Sequence, residues 1–377
     1  MAPQALVRAV PASPAAPELP VARPRLPALA ALAPYLQRID EARWYSNFGP
    51  LVCALEDRFA ARFGGAAVST VSNGTQALIL GLKAMGVEPG GLCAMPSWTF
   101  IASAHAAHQA GLVPWFLDVD AEDWMLRPAT VRAALANAPG PVSAVMPVAA
   151  FGARPDLDGW TAFHEDAGLP VLIDAAAAFD TMGSARLPFA LSLHATKLVG
   201  AGEGGCLVSD DAALMERFRR LTSFGFKGSR ESPFPASNAK LSEYAAAVAM
   251  AALDAWPAER TRWLRAARLL RIALSDRADV GFQPGWGLEW VSTTCVVRLP
   301  DDAADRLEAR LAETGIATRR WWGEGCHQSP AFAGCPHGPL PTTERLARST
   351  IGLPFAIDLE DADIDRIAQA VRAGLDS

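Results

Sequence analysis

Short apolar runs alternate with longer segments of helical periodicity along most of the chain. Seven of these runs predict β-strands, at residues 66–72, 92–96, 113–119, 142–150, 170–176, 189–195 and 204–210. Helices are predicted before or between them, at residues 50–65, 74–86, 99–111, 128–138 and 157–168. Because the strands are almost continuously apolar and alternate with helices, the pattern favours a mainly parallel sheet with both faces covered. The predicted fold class is therefore α/β.

A second pattern begins near residue 242. Residues 242–276 are mostly helical in pattern, and we expect them to be interrupted at Pro257 and to link a large domain to a smaller one. Beyond this segment the pattern predicts one strand and two helices, at residues 290–299, 302–315 and 361–374. The predicted organisation is an N-terminal arm, a large domain and a small C-terminal α/β domain, at residues 1–30, 31–250 and 251–377.

The composition excludes several classes of protein. The chain has 377 residues and a formal net charge of −6, and it contains no long basic run, so we predict neither a nucleic-acid partner nor an anionic membrane surface. It lacks the roughly 18 consecutive apolar residues that a membrane-spanning helix needs. The Pro- and Ala-rich arm lacks the apolar centre of a signal peptide and is expected to be flexible or extended. The six cysteines are dispersed, which is typical of a reduced, cytoplasmic protein.

One local cluster of cysteine and histidine allows two interpretations. The stretch "CHQSPAFAGCPH" brings Cys326, His327, Cys335 and His337 close together in sequence. These residue types bind zinc, but their spacing matches no strong zinc pattern, and the proline and glycine content indicates a loop. We predict no metal site, with zinc as the alternative.

Polar residues follow the predicted strands at the edge where open parallel sheets bind ligands. The turn Ser72–Asn73–Gly74 leads into a helix, whose free amides and dipole favour an anion such as phosphate, and the Thr75 hydroxyl adds a donor. An ordinary helix cap explains the same residues. Trp98 and Phe100 follow the next strand and could stack on a flat ring or belong to the core.

Two ionisable residues follow later strands. Asp174 stands after an apolar run and before four alanines, where an acid needs a partner such as a pyridinium N–H or, alternatively, a helix end or a cation. Lys197, shortly after Ser192, could form a Schiff base in an apolar pocket or could be an ordinary solvated lysine. Each feature alone is weak, but their succession on one α/β domain is what a pyridoxal-phosphate site requires.

In these motifs and their order, the chain resembles the DegT/DnrJ/EryC1/StrS aminotransferases. The resemblance covers nearly the whole chain and includes "YSNFGPLVCALEDRFA", "SNGTQAL", "PSWTFIASAHA", "VLIDAAAA", "SLHATKLVGAGEGG" and "NAKLSE". It implies a fold type I pyridoxal-phosphate enzyme, similar to aspartate aminotransferase, with a homodimeric active site. The implied activity moves an amino group from an amino acid, L-glutamate, to a keto-sugar with or without a linked nucleotide, by a ping-pong mechanism.

The resemblance also implies roles for individual residues. Lys197 would form the Schiff base and then act as the base, and Asp174 would pair with the pyridine nitrogen. Phe100 would stack on the cofactor ring. Asn238 would reach the phosphate of the partner subunit. The phosphate would otherwise be held by Gly74, Thr75, Gln76 and Ser192.

Several positions depart from the pattern of the family. The usual glutamine three residues after the acid is Ala177, and the histidine after it is Phe179. Two further histidines are replaced by Ala149 and Phe224, and the arginine of the "NxRMSE" pattern is Lys240. These changes predict a less polar acceptor, or a sugar held differently. They also leave open a catalytically idle or regulatory homologue, whereas a dehydratase of the same scaffold would carry histidine in place of Lys197.

Overall fold

A computed structural model describes residues 19–376 of the chain, and its centre is a seven-stranded sheet. The strands are β1 (Ala67–Val71), β2 (Leu92–Pro96), β3 (Val113–Leu117), β4 (Val142–Val145), β5 (Ile173–Asp174), β6 (Phe189–Ser192) and β7 (Gly205–Ser209). Four strands pair in the order β1-β7-β6-β5 and three in the order β3-β2-β4. Parallel bridges from Val145 to Val171 and from Val148 to Asp174 join the two groups. Strand β7 runs antiparallel to both neighbours and the other pairings are parallel, so the sheet is mainly parallel, as predicted.

Helices cover the sheet on both faces, since β2 and β7 are buried at every residue. In chain order they are α1 (Leu29–Ala42), α2 (Pro50–Arg62), α3 (Gly74–Ala84), α4 (Ile101–Gln109), α5 (Pro128–Leu135), α6 (Leu157–Ala167), α7 (Ala212–Leu221) and α8 (Glu243–Ala273). The sheet and its helices place the carboxyl ends of β1, β2, β4, β5 and β6 along one edge. This edge is where ligands bind in open parallel sheets.

The C-terminal part contains a small antiparallel sheet in the order β10-β9-β8. Its strands are β8 (Gly281–Phe282), β9 (Cys295–Arg298) and β10 (Thr350–Leu353), and its helices are α9 (Ala303–Glu313), α10 (Pro341–Ser349) and α11 (Asp361–Leu375). The domain bounds 31–250 and 251–377 stay a prediction; residue 250 lies inside α8.

The prediction that Pro257 interrupts the helical segment is wrong. Helix α8 runs through Pro257 for 31 residues. A proline in a helix interior removes one backbone hydrogen bond and costs about 3 kcal/mol. Trp256 and Trp263, both at most 7% exposed, are buried on either side of the proline, and this burial outweighs the lost bond.

Other elements differ from the predictions in length. The predicted strand 142–150 ends at Val145, because Pro147 lacks an N–H and the chain then turns into a 3₁₀ helix at Ala150–Gly152. The predicted strands 170–176 and 290–299 are likewise reduced to β5 and β9. The sequence patterns do not predict five of the observed elements, namely α1, α7, α10, β8 and β10.

Buried acids tie distant elements together. Glu243, 1% exposed at the start of α8, accepts hydrogen bonds from the amides of Leu51 and Val52 at the start of α2. Asp118, after β3, accepts from the amides of Thr342 and Thr343 in the first turn of α10. In both cases a carboxylate satisfies free amides at a helix N-terminus and stabilises the contact between two segments.

The described part of the predicted arm is extended but attached to the C-terminal part. We call residues 19–26 the N-terminal strap; residues 1–18 of the predicted arm lie outside the described residues. Leu19 is 1% exposed and its backbone bonds to Gly315 and Ala317, while Ala22 pairs with Phe355. Helix α1 begins at Leu29, inside the range predicted for the arm. None of the helices in residues 19–376 is long and apolar enough to span a membrane.

Candidate active site

A cavity of about 740 Å³ lies at the carboxyl edge of the large sheet. All but one of the predicted site residues line it, namely Gly74, Thr75, Gln76, Phe100, Asp174, Ser192 and Lys197. They come from the ends of four strands and the turns that follow, so the fold gathers residues that are far apart in sequence. Asn238 is the exception.

The turn after β1 forms a close-fitting anion cradle with the end of β6. Asn73 is the N-cap of α3, and its side chain accepts from the amide of Gln76 at 2.9 Å. A Cβ atom at Gly74 would lie 2.9 Å from Cβ of Ser192, so only glycine allows this approach. The amides of Gly74 and Thr75 make no hydrogen bond within residues 19–376, which leaves two donors for an anion at a helix N-terminus.

Asp174 is a buried acid with few partners. It is 6% exposed at the end of β5, and its Oδ1 accepts from the amide of Ala176 at 3.1 Å. Its Oδ2 accepts from the hydroxyl of Ser103 at 2.6 Å. Burial raises the pKa of Asp174 above its ordinary value, and the hydrogen bond from Ser103 and the charge of Lys197 oppose that rise. An N–H donor with positive charge would suit this carboxylate.

Lys197 lies on the loop that follows β6. Its amide donates to the carbonyl of His194 at 2.8 Å, and the adjacent carbonyl of Thr196 accepts from the hydroxyl of Thr293 at 2.6 Å. Within residues 19–376 its Nζ makes neither a hydrogen bond nor an ion pair. Burial lowers the pKa of Lys197 below its ordinary value, with Asp174 opposing the shift. The result is an amine that is more easily neutral than a solvated lysine.

The two aromatic candidates after β2 have different environments. Phe100 is 60% exposed and lines the cavity, where a flat ligand could stack on it. Trp98 is 2% exposed, lies outside the cavity lining and packs edge-on against Trp322 at 5.3 Å between ring centroids. Of the two, Phe100 is the residue available to a ligand.

Asn238 is exposed and does not line the cavity of its own chain. Its Oδ1 accepts from Lys240 Nζ at 2.5 Å, and its backbone bridges Ser223. Lys240 also lies over the ring of Phe224 at 4.9 Å. Asn238, Lys240 and Phe224 thus form a surface group. The group lies next to the turn after β1, where the amide of Ser72 donates to the carbonyl of Ala239.

One part of the cavity lining was not predicted from the sequence. It is built from the strap residues Ala22–Arg25, the 3₁₀ residue Phe151 and the segment Arg319, Trp321 and Trp322. We call this set the far wall. Phe151 and Trp322 stack face to face with centroids 3.8 Å apart, and Arg319 lies over the ring of Trp321 at 4.9 Å. The "TRRWW" run, with two adjacent tryptophans next to arginines, is the signal that could have indicated this wall.

The replaced family positions divide into two groups. Ala149 and Ala177 line the cavity. Phe179 does not: it is 5% exposed and packs against Phe59 and Trp256 in the core. Phe224 is outside the cavity as well. Of the four positions, the two alanines therefore line the cavity of their own chain and the two phenylalanines do not.

The cysteine–histidine stretch packs under the turn after β2. The hydroxyl of Ser97 bonds Nδ1 of His327 at 2.7 Å, and the thiol of Cys326 donates to the carbonyl of Thr99. Within residues 19–376, no three His, Cys, Asp or Glu residues are placed to hold a metal ion. The described contacts are those of a packed loop.

The cavity has the parts that pyridoxal 5′-phosphate needs: free helix amides, an acid and an uncommitted amine. A family model, the DegT/DnrJ/EryC1/StrS aminotransferase family, matches residues 30–372, and the chain belongs to this family. The chain is therefore a pyridoxal-phosphate-dependent aminotransferase, and the predicted family, cofactor and fold type are confirmed.

Individual relatives cover nearly the whole chain. It is 31% identical over 355 residues to the erythromycin biosynthesis sensory transduction protein EryC1 of Saccharopolyspora erythraea, across 90% of this chain and 93% of that protein. It is 30% identical over 353 residues to the dTDP-3-amino-3,4,6-trideoxy-alpha-D-glucose transaminase of Streptomyces venezuelae, across 89% of each. The solved structure of DesI with its TDP-sugar product has 35% identity and a TM-score of 0.85, with 95% of this chain and 93% of that chain covered.

Proposed function

We propose that this aminotransferase moves an amino group from L-glutamate to a keto-sugar by a ping-pong mechanism. The observation that carries the proposal is the single cavity that gathers Gly74, Asp174 and Lys197 under an aromatic far wall. The sugar acceptor is supported by the relatives, one of which is named as a transaminase of a dTDP-linked sugar. DesI was solved with a TDP-sugar product.

We call the predicted site residues that line the cavity at and after the ends of β1, β2, β5 and β6 the cavity floor, and in this proposal each of them binds the cofactor. The amides of Gly74 and Thr75, with Gln76 and Ser192, hold the cofactor phosphate at the N-terminus of α3. Phe100 covers one face of the ring. Asp174 holds the proton on the pyridine nitrogen, because a buried carboxylate favours a cationic N–H partner.

Lys197 moves the proton in the reaction. Bound pyridoxal phosphate supplies an aldehyde that combines with amines and a ring that withdraws electrons from the carbon next to nitrogen. Lys197 Nζ is the amine that would hold this aldehyde, and as a free amine it would be the base nearest the reacting carbon. Since burial lowers its pKa, the released amine is available as a general base for the α-carbon proton of glutamate.

The far wall defines the acceptor side of the proposal. Aromatic rings stack on the C–H faces of sugar rings, and the Phe151–Trp322 pair offers such a surface. Ala149 and Ala177 leave apolar surface where the family pattern has polar side chains. This supports an acceptor with few hydroxyl groups on the side that faces these alanines, or a sugar held in a different orientation.

The proposal includes a homodimer in the cytoplasm. Asn238 is exposed and outside the cavity of its own chain, as expected of a residue that reaches the phosphate of the partner subunit. All six cysteines are free, which agrees with a reducing compartment.

Absorption spectroscopy and a panel of acceptors test the proposal. The purified protein loaded with pyridoxal phosphate should show a visible band that L-glutamate shifts and that Lys197→Ala abolishes. The converted protein should then aminate keto-sugars, offered with and without a linked nucleotide, faster than aliphatic ketones. A band indifferent to every amino donor would favour the idle homologue, and exclusive activity on aliphatic ketones would refute the sugar acceptor.

A further inference from the structure

We propose that Ser103 is a positioning residue that keeps Asp174 ionised against the cofactor, with Thr99 orienting Ser103. This inference rests on the proposed role of Asp174 at the pyridine nitrogen. Ser103 lies in the first turn of α4, three residues after Phe100. Its hydroxyl bonds Asp174 Oδ2 at 2.6 Å and the hydroxyl of Thr99 at 2.8 Å.

When Asp174 is ionised, both side-chain hydrogen bonds in this chain of hydroxyls have a defined direction, and the other acceptor within reach of Thr99, the carbonyl of Phe100, is farther away at 3.5 Å. A carboxylate can only accept, so the Ser103 hydroxyl must donate to it. Ser103 then has only its lone pairs left for Thr99, and Thr99 must be the donor in that contact. The two bonds therefore point the same way, toward Asp174, and each strengthens the other.

The three side chains are buried, which makes the Asp174 carboxylate depend on the hydrogen bond from Ser103. Thr99 and Ser103 are at most 2% exposed and Asp174 is 6% exposed, so the carboxylate depends mainly on protein donors for its stabilisation. Within residues 19–376, Ser103 is the one side chain that donates a hydrogen bond to the Asp174 carboxylate. The carboxylate accepts one further hydrogen bond, from the amide of Ala176. The charged group that acts on Asp174 in this region is Lys197. Without Ser103 the anion would keep only one donor.

The consequence concerns the location of a single proton. Asp174 and the ring nitrogen share it, and it stays on nitrogen only while the carboxylate is the weaker base. Loss of the Ser103 bond would destabilise the anion and draw the proton onto Asp174 Oδ2. A hydrogen bond to a charged group corresponds to a shift of about one to two pH units in such an equilibrium.

Nitrogen-15 NMR of the loaded protein measures this proton directly. Wild-type protein and the variants would be loaded with pyridoxal phosphate labelled at the ring nitrogen, and the shift followed from pH 5 to 10. In Ser103→Ala the ring nitrogen should lose its proton at a pH about one to two units lower than in the wild type. Thr99→Val should lower the midpoint of this titration by less, and Ser103→Thr should restore the wild-type midpoint. The matched control is Ser209→Ala, which removes another buried, hydrogen-bonded serine outside the cavity.

The outcomes separate this inference from the proposed function. If Ser103→Ala and Thr99→Val both titrate like the wild type, the positioning role is refuted even when stability falls. If Ser103→Ala does not fold, the direction of the Thr99→Val midpoint decides. If Asp174→Ala leaves the nitrogen protonated as in the wild type, the role of Asp174 itself is wrong. A shift in Ser209→Ala equal to that in Ser103→Ala would also refute the inference.

Discussion

The floor of the cavity and its far wall are constructed in different ways. The floor consists of residues at the ends of strands or in the turns that follow them, such as Asp174 at the end of β5 and Gly74 in the turn after β1. Its polar atoms are positioned by local backbone and by short hydrogen bonds. The far wall combines the strap, Phe151 and Trp322, which are separated by more than a hundred residues, and Phe151 and Trp322 meet through ring stacking.

This difference indicates how one scaffold can keep its cofactor chemistry while changing its acceptor. The floor needs fixed distances to one cofactor, and its backbone geometry provides them. The far wall makes apolar contacts that tolerate a change of side chain. We therefore expect substitutions in the floor to affect both half-reactions, and substitutions in the far wall to affect the acceptor half-reaction alone.

The largest expected effect follows from removing the floor acid. Asp174→Ala should lower the rate of both half-reactions roughly 1000-fold, because the preorganised charge that holds the ring proton is lost. Single-turnover absorbance changes with L-glutamate and then with the acceptor measure the two rates. A variant that slows only one half-reaction would break the proposed division between floor and far wall.

A second buried acid, six residues later, should act on stability. The Asp180 side chain is 1% exposed and accepts two hydrogen bonds from Arg260 of α8 and one from the amide of Val291. Asp180→Ala leaves Arg260 with only the carbonyl of Glu289 and the amide of Val291 without its acceptor, and it should cost about 3 kcal/mol of unfolding free energy. Urea unfolding of the cofactor-free protein measures this. An unchanged midpoint would show that the contacts of Asp180 with Arg260 and Val291 add no stability.

Trp322 offers the sharpest test of the far wall. Trp322→Ala removes the stack on Phe151 and should raise the KM for the acceptor about 10-fold, given the usual strength of aromatic pairs plus the lost apolar contact. The donor half-reaction of the same variant is the internal control and should change less than about 2-fold. Equal losses in both half-reactions would place Trp322 with the floor.

The smallest expected effect concerns the stability of the cofactor-free protein. Burial lowers the pKa of Lys197, so the folded state binds the lysine proton more weakly than the unfolded state does. The free energy of unfolding therefore falls as the pH drops from the ordinary lysine pKa of about 10.4 through the lowered pKa. Lys197→Met removes this penalty and should stabilise the protein by about 1 kcal/mol at pH 7. Thermal unfolding at pH 7 and pH 11 checks this, since the gain should disappear at the higher pH.

The sequence was sufficient for the floor because its signals are local. An acid after an apolar run and an Asn-Gly-Thr turn before a helix are local patterns, and each predicts that its residues lie at the carboxyl edge of the sheet. No knowledge of long-range contacts is needed for this prediction. The far wall depends on which segments meet in space, and the pair of tryptophans beside Arg319 does not by itself indicate that Trp322 meets Phe151. The same limit explains Pro257, where burial of Trp256 and Trp263 outweighs a local helix-breaking preference.

The N-terminal strap has a practical consequence for work with shortened chains. It pairs with the C-terminal part through Leu19 and Ala22, contributes Arg23 and Arg25 to the cavity, and places Leu26 against Gly200, three residues after Lys197. A version of the chain that starts at helix α1 would keep the sheet and the floor yet lose one side of its reaction chamber. Trimming the protein for crystallisation should therefore stop before residue 19.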